Sequence, residues 1–109
     1  MNITPTPLTP GATTPALSQG QLAKALAHPV RWQILAELSD GAPLMVMEMA
    51  RRIRRSGDLT GKHLAVLRQS GLVVTGQAGM YRIPPQFLPT PGQRVVDFGA
   101  CLLRFTATE

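Results

Sequence analysis

Punctuation constrains this chain more than any other feature of its sequence. Pro29, the Asp40-Gly41-Ala42-Pro43 turn, Ser56-Gly57 and Ser70-Gly71 divide residues 18–71 into four short segments. Each carries apolar residues at helical spacing, and none approaches the length of a membrane span. Ser18 with Gln21 three residues on has capping-box spacing, so a first helix is expected through Leu22, Ala25 and Leu26 to about His28. Pro29 suits the first turn of a second helix, in which Val30, Ile34, Leu35 and Leu38 form one apolar face ending near Ser39. A third helix is expected over Val46 to Ile53, with Met49 and Ile53 inward, and a fourth, capped by Ser56, runs to Ser70 and Gly71. On that fourth helix Thr60, Leu64 and Leu67 share one face, while Asp58, Gly61, Lys62, Ala65, Arg68 and Gln69 look the other way.

Beyond Gly71 the pattern changes period. Leu72 to Thr75 and Met80 to Ile83 are β-type runs joined by Gly76-Gln77-Ala78-Gly79, which predicts a hairpin. Helices followed by a small hairpin are the order of a winged helix-turn-helix, whose last helix enters the major groove of DNA. The fold class expected is therefore mainly α with small β. Pro84-Pro85, Pro89 and Pro91 oppose a further helix, and Arg94 to Phe105, rich in Val, Leu and Phe, reads as a strand; Gly99-Ala100 offers the alternative of a turn between two shorter strands. The expected organisation is an arm at 1–17, with four prolines, five threonines and no charge, the winged-helix domain at 18–83, and a proline-rich connection with a terminal strand at 84–109.

Charge then points to a partner. Residues 51–68 hold six basic side chains against the single acidic Asp58, which equals the whole net charge of +5. Four of the six, Arg51, Arg52, Arg54 and Arg55, fall within five residues, more than a helix dipole needs at its C-terminus. Such a concentration fits a polyanion, with duplex DNA the first candidate. The single cysteine, Cys101, excludes an intramolecular disulfide and fits a reducing compartment. Without a signal-peptide pattern or a long apolar run, the expected location is cytoplasmic, with no membrane partner.

Two blocks resemble one known family. Leu22 to Leu38, LAKALAHPVRWQILAEL, is similar to the opening of the ArsR-type winged-helix repressors, and Lys62 to Val73, KHLAVLRQSGLV, to the end of their recognition helix. The match spans roughly residues 20–83. It implies that Gly57, Asp58, Gly61 and Lys62 occupy base-facing positions and that Arg55 and Arg68 approach phosphates. Ser56, at the start of that helix, and Arg82, the one charge near the neutral GQAG wing tip, complete the expected DNA-binding set. Relatives that sense metals carry Leu-Cys-Val-Cys-Glu-Leu in the third helix; this chain has LMVMEM, with Met45 and Met47 where thiolates would stand. Thioethers cannot replace thiolates around zinc, cadmium or arsenite, so that site is absent. Both methionines are expected to fill gaps in a core or interface.

Other chemistry is sparse. His28 and His63 read as helix-end and packing residues, Trp32 as partly buried packing and Cys101 as an inert buried thiol. No nucleophile, base and orienter set is visible, so neither an enzyme nor a cofactor is expected. The reading is a sequence-specific DNA-binding regulator, a repressor by resemblance, acting as a homodimer through Leu22, Leu26 and the apolar side of Val95 to Leu103. A small-molecule effector is not specified. The alternative is a winged-helix protein-interaction module in which two glycines and Asp58 signify lost DNA readout.

Overall fold

The computed structural model describes residues 17–90 and 93–105; the arm expected at residues 1–16 lies outside them. Four helices come first: α1 (Gln19–Ala25), α2 (Pro29–Leu38), α3 (Val46–Ile53) and α4 (Gly57–Gln69). The wing follows as β1 (Val74–Thr75) and β2 (Tyr81–Arg82), then a second hairpin of β3 (Val95–Asp97) and β4 (Leu102–Arg104).

Local chemistry sets the helix ends. The Gln21 amide donates to Ser18 Oγ at 3.1 Å and the Ser18 amide to Gln21 Oε1 at 2.9 Å, which closes the capping box. α1 stops at Ala25, earlier than expected, because His28 caps the next helix instead: the Val30 amide donates to His28 Nδ1 at 3.4 Å. Ser56 Oγ accepts from the Leu59 amide at 3.1 Å at the head of α4. Between α3 and α4 the chain turns through Arg54 in the left-handed conformation (φ 60°, ψ 48°), while the Arg55 amide reaches back to the Ala50 carbonyl at 3.0 Å. That is a Schellman-type end with arginine where glycine is usual.

α2, α3 and α4 enclose the core. Ile34, Leu35, Leu38, Met49, Leu64, Leu67, Leu72 and Val73 are fully buried. Thr60 is buried with them, and its hydroxyl has no hydrogen-bond partner among the described residues. The wing strands pair antiparallel, Val74 with Arg82 and Thr75 with Tyr81. Leu44 adds a bridge that local sequence patterns do not reveal, exchanging hydrogen bonds with Tyr81 at 2.9 and 2.8 Å and so tying the start of α3 to the wing.

The terminal segment corrects the single-strand reading. Val95, Val96 and Asp97 pair with Arg104, Leu103 and Leu102, and the chain reverses at Gly99-Ala100. Gly99 has φ 92°, its amide donates to Asp97 Oδ1 at 2.9 Å, and the Phe98 amide donates to the Cys101 carbonyl at 2.9 Å. Reversal puts Phe98 in the core, edge-on to Phe87 with centroids 5.1 Å apart, and leaves Leu102 exposed. Val96, Phe98 and Leu103 are buried within the chain, as is Leu22, so most of the surface assigned to a dimer interface is internal core.

Thr60→Val should raise stability by about 1 kcal/mol, because a buried hydroxyl without a partner is replaced by a methyl of similar shape. Chemical denaturation checks this; an unchanged or lowered midpoint would mean that the hydroxyl is satisfied in solution.

Candidate nucleic-acid interface

The fourth helix turns its polar side outward because its other side is committed to the core. At about 100° per residue, the buried Thr60, His63, Leu64 and Leu67 define the inner stripe, and Asp58, Lys62, Ala65 and Gln69 fall opposite it. Asp58, Lys62 and Gln69 are exposed. Asp58 lies in the first turn, where a carboxylate also stabilises the helix dipole.

Gly57 and Gly61 lie on the flank that meets α3, not on the outward line. A Cβ at Gly57 would stand 2.9 Å from Met47 Sδ, and one at Gly61 would stand 4.0 Å from Val46 Cγ1. The missing side chain at Gly57 therefore serves close approach of the two helices. Met45 and Met47 are not core residues: they are 50% and 65% exposed at the start of α3. With Val46, Glu48, Arg51 and Gly79 of the wing turn they line an open groove of about 380 Å³.

The arginines divide. Arg52 turns toward α2 and pairs with Glu37 at 3.5 Å and with Glu48 at 3.7 Å, so its charge is already neutralised. Those are the only ion pairs among the described residues. Arg51 stands in the last turn of α3, Arg54 and Arg55 in the turn to α4, and Arg68 in the last turn of α4, all exposed and without a carboxylate partner among the described residues. Lys62 joins them on the outward line. Arg82 lies farther off, on β2, at an open groove with Pro43, Gly76, Gln77 and Met80. Ser56 is occupied as a cap.

Behind α4 is a cluster that sequence reasoning missed. Arg31 Nε donates to His63 Nδ1 at 3.1 Å, and Arg31 Nη1 donates to the carbonyls of Lys24 and Ala25 at 3.1 and 3.2 Å. The His28 ring lies against His63, with centroids 4.2 Å apart. His63 is buried and accepts at Nδ1, so it is neutral with its proton on Nε2. Burial, then the proximity of His28 and Arg31, holds its pKa below the usual imidazole value. Trp32 is 40% exposed; its indole donates to the Leu26 carbonyl at 2.8 Å and meets Phe105 edge-on. Cys101 is half-buried, and burial followed by Asp97 raises its pKa, which disfavours a reactive thiolate.

Among the described residues no group of three His, Cys, Asp or Glu side chains is placed to hold a metal ion, and no helix is long and apolar enough to cross a membrane.

No family profile matches the chain. Over 80 residues, 71% of this chain and 68% of the relative, it is 32% identical to the arsenical resistance operon repressor of Escherichia coli (strain K12). HlyU from Vibrio cholerae N16961 superposes with a TM-score of 0.53 at 39% identity, covering 59% of this chain and 72% of HlyU. The transcriptional repressor BigR from Xylella fastidiosa superposes with a TM-score of 0.53 at 32% identity, covering 60% and 68%.

The depressed pKa of His63 predicts an acid-sensitive fold. On acidification the unfolded chain takes up the proton first, at about pH 6.5, so the stabilising contribution is complete above that value and is lost as pH falls toward the lower folded-state pKa. The urea midpoint should fall between about pH 7.5 and about pH 5.5, and less steeply in His63→Gln, which can still accept from Arg31. Equal slopes in the two proteins would assign the acid loss to other groups.

Proposed function

The chain belongs to the ArsR-type family of winged-helix transcriptional regulators, and on that premise we propose that it is a repressor that binds specific double-stranded DNA with α4 in the major groove. The observation that carries this reading is the set of five exposed cations, Arg51, Arg54, Arg55, Lys62 and Arg68, with no carboxylate partner among the described residues, while Arg52 alone is neutralised. A surface that leaves these charges unpaired is matched to phosphates. Base readout rests on Asp58, Lys62 and Gln69, the side chains of the outward line. Arg82 serves the wing.

The active form in this reading is a homodimer, since a single recognition helix reads few base pairs and two are spaced by one turn of DNA. Of the exposed apolar side chains, Trp32 on α2 and Leu102 on the terminal hairpin, 40% and 53% exposed, are assigned to such an interface, with Phe105 meeting Trp32 edge-on. Metal does not regulate this protein through α3, because Met45 and Met47 supply no thiolate.

One titration tests the reading. Log affinity for duplex DNA should fall linearly with log salt, and Arg55→Ala should flatten the slope by about 0.9 for each phosphate that residue neutralises. Arg54→Gly should weaken binding similarly while leaving the fold at least as stable, because glycine takes the left-handed conformation without strain. Saturation should need two chains per operator. Zinc, cadmium and arsenite should leave the complex intact; release by any of them that disappears in a Met45→Ala, Met47→Ala variant would count against the metal claim. Binding that ignores salt would favour the protein-interaction alternative.

A further inference from the structure

α4 has two flanks. The flank that meets α3 carries Gly57 and Gly61, with Arg68 on the same side by helical spacing, and Arg54 and Arg55 stand in the turn at the head of the helix. The other flank carries Val66 and opens onto a groove of about 500 Å³ between α4 and the junction of α1 with α2, lined by Lys24, His28, Arg31, Val66, Gln69 and Ser70. We propose that this groove is a second phosphate-binding site, in which Lys24 and His28 hold the sugar-phosphate backbone of the duplex on the opposite side of the major groove from the arginines. The proposal rests on the DNA-binding reading above.

Three observations converge on it. First, every ionisable side chain lining the groove is basic, and none is ion-paired among the described residues. Arg31 adds charge but is held in place: its Nε holds His63, and its Nη1 holds the carbonyls that end α1, which leaves Nη2 without a partner among the described residues. Its role is positioning, since it ties the last turn of α1, which carries Lys24, to the cap of α2, which is His28. Second, the His28 ring lies against the buried His63 with the ring planes tilted by 51°, and its Nδ1 accepts from the Val30 amide, so two contacts hold the ring in place. A fixed imidazole beside an exposed lysine is a preorganised pair for a phosphodiester oxygen. Third, Gln69 belongs both to the outward line of α4 and to the groove wall, so a duplex seated on that line reaches the groove.

Dimensions point the same way. The major groove is about 12 Å wide, and a helix with its side chains is about 10–12 Å across. A helix that fills the groove brings both phosphate backbones against the protein. Arg54 and Arg55 serve one; without Lys24 and His28 the other would face Val66 and Ser70.

The test is salt-dependent duplex binding by the full chain carrying Lys24→Gln, and by one carrying Lys24→Gln with His28→Asn. Lys24 is exposed, so its variant should not disturb folding, and asparagine preserves the helix cap made by His28. Lys24→Gln should flatten the log-log salt slope by about 0.9 for each phosphate that residue neutralises, additively with Arg55→Ala, and ethylation interference should mark phosphates on both strands of each half-site in the native complex and on one strand of each half-site in the double variant. An unchanged slope and footprint in both variants, with Arg55→Ala still flattening the slope, would overturn this site alone. A native protein that shows no salt-dependent duplex binding would overturn the site together with the functional reading. Inorganic phosphate provides the remaining arm: millimolar phosphate that shifts the His28 resonances and is not displaced by duplex would make the groove a site for a free anion and overturn the proposal.

Discussion

Burial of one stripe of α4 is the constraint on which the rest of the structure depends. Leu64 and Leu67, fully buried, pack with Ile34 and Leu35 of α2 and Met49 of α3 in one core. Burying side chains of this size contributes about 1.5–3 kcal/mol each, far more than any exposed ion pair on this surface. Rotating α4 by one residue in either direction would turn Leu67 out of the core and bring Lys62 or Arg68 toward it. The hydrophobic term therefore fixes which side chains face outward, and the charges follow. The cationic face is held in register by the core beneath it and not by interactions among the cations, which repel one another.

That division explains which features are legible in the sequence. Helix starts at Ser18, Pro29 and Ser56 depend on residues two or three positions away, so their chemistry is visible in a short window. The period of Thr60, Leu64 and Leu67 is equally local. Features that escape such a window depend on distant partners. Arg52 resembles its neighbours in sequence, and although Glu48 stands four residues back, the pairing with Glu37, fifteen residues back, appears only in the fold. Arg94 to Phe105 fits the pattern of one strand because Val, Leu and Phe recur along it. The choice is made instead by Phe98, which gains a place against Phe87 only if the chain reverses at Gly99. The same reversal moves Val96 and Leu103 from the expected interface into the core.

The glycines teach a similar lesson. Gly57 and Gly61, base-facing by family resemblance, lie toward the first turn of α3, and at Gly57 the thioether of Met47 occupies the space a side chain would take. Absence of a side chain has two meanings, room for a ligand or room for a neighbour, and a sequence does not distinguish them. Here the neighbour is a methionine, a residue type expected inside, that the fold leaves 65% exposed.

Solvent access decides which of the basic groups act as charges. Arg51, Arg54, Arg55 and Lys62 are exposed, and at physiological salt their mutual repulsion is screened over about 8 Å, so their crowding costs the fold little. His63 has no such screening. Enclosed by α2 and α4 and facing Arg31, it stays neutral and serves as an acceptor. Protonating it would remove the lone pair that holds Arg31 and set a second cation against the guanidinium. The arginines consequently respond to ionic strength, at the end of α3 and in the turn to α4, and His63 responds to pH, on the inner side of α4.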